Sequence, residues 1–285
     1  MKTISVVGSL NVDYMIQTAR LPMPGETLFA ETFQKMPGGK GMNQAVCCAD
    51  LGNHVHMIGC VGKDDQGQFL LSKLHEHHVD TSGVYQTNAL TGCAFVATSP
   101  EDNSIMVVKG ANDQVRIAMI DEQADVLLKS DMIIAQFEIP MDTVSYLIDF
   151  CYRNQKSLLI NPAPVHTLSA SDLEKITYLT PNEKEFDFLY REEREQILAA
   201  NPQKLIMTAG GNGVYAYDGK KLLHIPAEKV EVVDTTGAGD AFNGAFASAI
   251  VNGRTFMEAL IYANHIAACA IQHFGAQAAI ADCEE

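Results

Sequence analysis

Val233-Asp234-Thr235-Thr236-Gly237-Ala238-Gly239-Asp240-Ala241-Phe242-Asn243-Gly244 opens a helical run late in the chain, and its reading decides the fold. Glycine and alanine at 237–239 leave the backbone bare where the helix begins. Successive N–H groups there can point at an anion and add the positive end of the helix dipole. Asp240 follows in the first turn, and a carboxylate beside a bound anion is electrostatically costly, which points to a chemical task for it. Standing alone, such a pattern is more often a helix start with an aspartate cap. The rest of the chain decides between these readings. Lys40, Lys63 and Lys220 follow glycine with no Ser or Thr after them, so no G-x-x-x-x-G-K-[ST] loop exists. Protein-kinase loops are also missing, and no G-x-G-x-x-G follows the first strand, which argues against a dinucleotide fold.

Outward from this segment, short apolar runs alternate with longer stretches of helical period, the mark of a parallel sheet covered by helices. Strands are expected at Ile4–Gly8, His56–Val61, Met132–Phe137, Ser157–Asn161, Tyr178–Thr180 and Leu205–Ala209. Helices are expected at Asn43–Leu51, Gln66–His78, Thr143–Asn154, Gly239–Asn252 and Thr255–His273. Two stretches break the rhythm, Ile16–Met36 and Thr91–Val108, where alternation and turn chemistry predict hairpins. They are expected to pair as a small β lid, with segments near 14–37 and 91–109, over the mouth of one domain spanning 1–285.

The composition suits a globular chain: 285 residues, 47% of them apolar, with a formal charge of −15. That charge repels nucleic acid and anionic lipid surfaces, so neither is an expected partner. No run approaches the length of a membrane span, and Met1–Val7 enters a strand with no leader-like pattern. The cysteines at 47, 48, 60, 93, 151, 269 and 283 are odd in number and form no C-x-x-C pair, which fits reduced core thiols and a cytoplasmic location. His75, His77 and His78 end a helix in a polar stretch and are read as surface residues. A tetrahedral metal site needs ligands on converging elements.

Polar residues gather at the expected carboxyl edge of the sheet. Gly8-Ser9-Leu10-Asn11-Val12-Asp13 closes the first strand, and Asn11 and Asp13 point the same way along an extended chain, offering an amide and a carboxylate to a polyol. Pro37-Gly38-Gly39-Lys40-Gly41-Met42-Asn43-Gln44-Ala45 places bare backbone beside Asn43 just before a helix, suited to close approach by a small polar ligand. Thr180-Pro181-Asn182-Glu183-Lys184-Glu185 reads as a helix start with acids in the first turn. Thr208-Ala209-Gly210-Gly211-Asn212-Gly213 reads as a tight turn after a strand.

Taken together, these segments resemble the ribokinase-like (PfkB) carbohydrate kinases over nearly the whole chain, and the 37–45 wording is most like the ribokinase branch. The resemblance implies an α/β ribokinase-like fold, mainly a parallel central sheet flanked by helices with a β lid. It implies ATP-dependent phosphorylation of a sugar primary hydroxyl, ribose to ribose 5-phosphate first, with deoxyribose, a hexose or a nucleoside as the alternative acceptor. Asp240 becomes the general base, and the backbone at Gly237, Ala238 and Gly239 neutralises the transferred phosphoryl group. Asn11, Asp13, Gly39, Lys40, Gly41, Asn43 and Glu138 line the sugar pocket, Lys40 as a loop residue. Asn182, Thr208, Gly210, Gly211, Gly213 and Asn264 border the nucleotide, and Glu185 helps to hold Mg2+ and its water shell. Asp234, Thr236, Ala270, His273, Gly275 and Ala279 carry over as ligands for K+ or another monovalent cation.

Departures from the family pattern fall on the nucleotide flank. Ala279 offers only a carbonyl where some members present a hydroxyl, which implies weaker cation activation. The 188–204 stretch is short and the chain stops soon after Ala279, which implies a more open adenine pocket. A catalytically weak sugar-binding regulator is the competing expectation from another class. The lid segment Thr91–Val96 carries no arginine, and Arg20 and Arg116 stand outside the motifs, which favours a neutral sugar over a sugar phosphate. Phe29, Phe33, Phe95 and Val96 predict an apolar lid face that serves a homodimer.

Overall fold

Ile4–Val7 are fully buried because this apolar run becomes the middle of a parallel sheet with helices on both sides. The computed structural model describes residues 1–100, 103–191 and 193–277. In chain order its strands are β1 (Thr3–Val7), β2 (Asn11–Gln17), β3 (Thr32–Gly38), β4 (His54–Gly62), β5 (Asp80–Thr87), β6 (Gly92–Thr98), β7 (Asn103–Val108), β8 (Met132–Gln136), β9 (Leu158–Asn161), β10 (Tyr178–Leu179), β11 (Ile206–Thr208), β12 (Val214–Tyr217) and β13 (Leu222–Ile225). The α-helices are α1 (Lys40–Asp50), α2 (Asp65–Glu76), α3 (Ile117–Glu122), α4 (Ala124–Lys129), α5 (Met141–Arg153), α6 (Ala170–Lys175), α7 (Glu183–Leu189), α8 (Arg194–Ala200), α9 (Ala238–Val251) and α10 (Phe256–Ala270).

The central sheet runs β10-β9-β8-β1-β4-β5 with every pairing parallel. Parallel bridges Leu179↔Leu205 and Asn182↔Thr208 continue it toward the antiparallel trio β11-β12-β13. Side chains alternate across it into two cores. Ile4, Val6 and Ile134 face α1, α9 and α10, while Val7, Ile133 and Ala135 face the α5 side. The α1–α9 crossing is close, since a Cβ at Gly244 would lie 2.7 Å from Cys47 Sγ. That contact packs the middles of α1 and α9 together, and each helix opens on one of the glycine motifs.

The lid is a four-stranded sheet, β3-β2-β6-β7, in which β2 and β6 run parallel and the outer pairs antiparallel. It differs from the expected hairpins near 14–37 and 91–109. Its first strand begins at Asn11, directly after β1, and residues 18–31 connect it to β3 rather than forming strand. Asn11 and Asp13 therefore belong to the base of the lid instead of the end of β1, and they share its pleat face with Met36, opposite Tyr14, Phe33 and Phe95. The single buried aromatic face does not form within one chain. Phe29 and Phe33 are 94% and 63% exposed, and Val96 lies on the face opposite Phe33 and Phe95.

Two further corrections concern elements. The edge strand β5 carries no apolar run in Asp80-Thr81-Ser82-Gly83 and had no strand signal. The 188–204 stretch holds one short helix, α8, tied back to α7 by Arg194 on Asp187 and Glu183. Ala279 and the chain after it lie outside the described residues.

Candidate active site

The glycines of the 37–45 segment are there to admit the lid base and β1. Gly39 adopts φ +89° and caps α1, and an added Cβ would stand 2.8 Å from Asn11 N. Gly38 lies against the Asp13 carboxylate, and Gly41 against the backbone of Gly8 and Ser9. Ser9 Oγ donates to Glu138 Oε2 at 2.5 Å, and Lys40 N donates to the same oxygen at 3.1 Å. Asn112, buried beneath the lid, donates to Asn11 Oδ1 at 2.8 Å and accepts from Leu10 N at 2.9 Å, which fixes the Asn11 amide. Asn11, Asp13, Gly39, Gly41 and Glu138 are thus drawn together around Lys40 and the start of α1, beyond the carboxyl ends of β1 and β8, and Asn43 follows on the first turn of that helix.

At the other motif, Gly237 takes φ +80° with Ala276 packed where a Cβ would be, 2.6 Å away. The first helical bond of α9 runs from Ala241 N to Gly237 O at 2.8 Å, so the N–H groups of Gly239 and Asp240 precede the helical ladder. Gly239 has nothing within 4 Å of an added Cβ. Its bareness answers to no protein neighbour and leaves room for a ligand. The cavity here is lined by Gly237, Ala238, Gly239 and Asp240 on one wall, and by Asn182, Glu185 and Thr208 on another. Lys40 reaches into the same cavity, together with Asn161, Thr180 and Asn243.

Asp240 joins the two ends. Its carboxylate is buried, accepting from Asn43 Nδ2 at 2.9 Å and from Gln44 Nε2 at 2.8 Å, while its helix N-terminus faces the nucleotide-side wall. The electrostatics are those of crowded acids around one cation. Burial pushes Asp13 up to about 7, helped by the neighbouring charges of Glu138 and Asp240 and opposed by Lys40. Glu185 is raised by burial, against the donors of Asn182 and the charge of Lys40. Lys40 is held above its ordinary value chiefly by Asp240, with Glu138, Glu185 and Asp13 adding to the effect. It is the first residue of α1 rather than a loop residue, and its ammonium sits between the acids of both ends.

Other expected positions separate. Asn182 and Glu185 form a reciprocal capping box on α7, with Asn182 N donating to Glu185 Oε2 at 2.8 Å and Asn182 Nδ2 to Oε1 at 2.9 Å. Both carboxylate oxygens keep a lone pair, which suits an outer-shell contact to hydrated Mg2+. Gly210 and Gly211 are open, whereas Gly213 (φ +86°) is needed because a Cβ would strike Ile225 O. Asn264 is not among the cavity-lining residues. It donates to Pro226 O at 3.0 Å and holds the loop that borders the cavity. Asp234 accepts from Thr236 N at 2.9 Å and from Gly275 N at 3.1 Å, tying the two loops of the expected cation site, and Ala270 O accepts from His273 N at 3.3 Å. A carboxylate among backbone carbonyls is a donor set that suits a monovalent cation. The histidines at 75–78 do not gather a metal: His75 meets Thr81 and His77 meets Asp50. Among the described residues no cluster of three or more His, Cys, Asp or Glu could hold one.

Sequence reading assigned no site role to Gln44, Gln136, Asn112 or Asn161, although Gln44 stands inside the 37–45 segment. These buried amides are bonded to other protein groups, and their residue types alone do not distinguish such a role from ordinary polar packing.

The family model described as "pfkB family carbohydrate kinase" matches residues 1–283. A ribokinase of Bacillus subtilis (strain 168) is 41% identical over 279 residues, 97% of this chain and 95% of that protein. A deoxyribokinase of Salmonella typhi is 32% identical over 296 residues, 99% of this chain and 96% of that protein. The solved structure of Arabidopsis thaliana ribokinase complexed with ribose and ATP superposes with a TM-score of 0.88 at 30% identity, covering 99% of this chain and 98% of that one.

Proposed function

The chain belongs to the pfkB family of carbohydrate kinases and is an ATP-dependent sugar kinase, and from that premise we propose that it phosphorylates ribose on its primary hydroxyl with Asp240 as general base. The observation that carries the reading is the place of Asp240. One carboxylate meets Asn43 at the sugar end while its own helix start lines the nucleotide-side cavity. A hydroxyl lying between Asn43 and the α9 N-terminus can give its proton to Asp240 as the oxygen attacks the γ-phosphorus. The bare backbone at Ala238 and Gly239 receives the charge that develops on the transferred group. Ala238 N–H already donates to Thr235 O at 3.3 Å, which leaves the Gly239 amide as the principal donor.

Asn11, Asp13, Gly39, Gly41, Asn43 and Glu138 hold the sugar hydroxyls. Asn182, Thr208, Gly210 and Gly211 border ATP, with Asn264 acting through the 226 loop. Glu185 would meet the hydration shell of Mg2+, which supplies charge neutralisation on the phosphates when bound. Asp234, with the carbonyls of Thr236, Ala270, His273 and Gly275, would hold K+ or a similar cation. A neutral sugar is favoured because Arg20 is engaged by Glu26 and Arg116 contacts Gln114, which leaves neither aimed into the crevice. The similarity to both ribokinases and a deoxyribokinase makes the 2-hydroxyl the feature to test.

A homodimer through the lid fits β7, an edge strand on which Ile105–Val108 are each more than half exposed. The acidic charge argues against nucleic-acid and membrane partners, and a cytoplasmic location agrees with the reduced cysteines; among the described residues no helix is long and apolar enough to cross a membrane. The test is a sugar panel with coupled ADP detection, run on wild type and Asp240→Asn. Ribose should turn over fastest in the wild type. The variant should lose about 10²- to 10⁴-fold in kcat while still binding sugar. Near-normal turnover by Asp240→Asn would remove the base assignment, and preference for deoxyribose would reassign the acceptor.

A further inference from the structure

Resting on Asp240 as the base, we infer that Gln44 is a positioning residue for phosphoryl transfer, holding the Asp240 carboxylate toward the sugar hydroxyl from behind. Gln44 is fully buried and cannot touch sugar or solvent. Its Nε2 donates to Asp240 Oδ1 at 2.8 Å, and the same amide reaches Asn161 Oδ1 at 3.2 Å. Its Oε1 accepts from Gln136 Nε2 at 2.7 Å. The orientation of the amide is therefore set from both ends, with N–H toward the carboxylate and C=O toward Gln136.

The chain of amides ends in an unpaired acceptor. Gln136 Oε1 is buried with no hydrogen-bond partner, pressed against Gly8, where a Cβ would lie 2.2 Å away. A buried carbonyl left in that state is a cost. It is incurred to turn two amide dipoles the same way, donor ends toward Asp240, so that each polarises the next. The need for such a hold follows from the charges around the base. Lys40 attracts the Asp240 carboxylate toward the cavity, and Asp13 and Glu185 repel it. The other donor, Asn43, is placed at the sugar end and must share its amide with the substrate. Gln44 is the donor that stays when the sugar arrives, and being neutral it fixes the direction of the carboxylate without supplying a counter-charge that would quench it as a base.

The test is steady-state kinetics of the full chain with ribose and Mg-ATP. Gln44→Leu should lower kcat about 10- to 100-fold while both KM values stay within about threefold, because orientation is lost and binding is not. In an Asp240→Asn background the same substitution should cost nothing further, since the group it orients has gone. Gln44→Leu activity within about twofold of wild type would overturn the inference, as would an equal loss in both backgrounds. Near-normal turnover by Asp240→Asn alone would instead sink the base assignment, a different result. If Gln44→Leu does not fold, Gln44→Glu keeps the shape and carries the test. Its carboxyl can donate to Asp240 only when protonated, so its kcat/KM should fall with rising pH across a range where wild type is flat. A profile parallel to wild type would refute the role.

Discussion

At the scale of single residues, the crevice holds more acid than its one cation offsets, and Asp13 bears the consequence. Its pKa of about 7 in the folded protein stands above an ordinary carboxylate value of 3.8, so the folded chain keeps a proton that the unfolded chain releases. Stability from this group is fully present below the unfolded value and is lost as pH rises through the folded one. Without sugar, wild type should therefore lose thermal stability between about pH 4 and about pH 7, and Asp13→Asn should lose less over the same interval. Equal losses in the two proteins would mean that Asp13 is not protonated in the folded state. Residues of this kind were legible because they sit in motifs, as Asp13, Asn43, Asp240 and Asn182 do, although Asp13 proves to lie in the lid strand β2 rather than at the end of β1. The roles of Gln44 and Gln136 were not, even with Gln44 inside the 37–45 segment, because an amide whose partners are all protein groups is assigned only by the contacts of the fold.

Elements show the same division between pattern and context. The central parallel strands were readable because burial on both faces demands continuous apolar runs, as in Ile4–Val7 and Met132–Ala135. The edge strand β5 escaped because Asp80–Gly83 has no such run, and its pairing is imposed by β4. The lid began five residues earlier than expected because Asn11–Met15 satisfies both an Asx turn and an extended strand, and only pairing with β3 and β6 chooses between them. The start of α9 separates two glycines of one motif. Gly237 needs its positive φ and has no room for a methyl group, so Gly237→Ala should lower stability by about 1–3 kcal/mol. Gly239 is in helical backbone facing open space, so Gly239→Ala should keep or slightly raise Tm. Its methyl group fills the volume assigned to the phosphoryl group, and kcat should fall about 10²-fold. Melting curves and turnover of the two variants check this. An active, stable Gly239→Ala protein would place the transferred phosphate elsewhere.

For the molecule as a whole, the lid matters because it connects the sugar site to a free edge. Its inner pleat face carries Asn11 and Asp13, and its outer strand β7 is unpaired on one side, with Ile105, Met106, Val107 and Val108 between 51% and 65% exposed. Four consecutive apolar residues on an edge strand are an aggregation hazard unless something covers them. A second copy of the chain covers them in the reading proposed here, and its strand would stiffen the sheet that holds Asn11 and Asp13. Wild type should elute as a dimer at micromolar concentration. Met106→Asp, which sets a carboxylate in that contact, should elute as a monomer with unchanged far-ultraviolet circular dichroism. Because Asn11 and Asp13 would then rest on a looser lid, its KM for sugar should rise severalfold, about three- to tenfold, while its KM for ATP changes little. A monomeric wild type would refute the dimer. A dimeric Met106→Asp with wild-type KM would place the interface on another face and leave the β7 edge without the role argued for it.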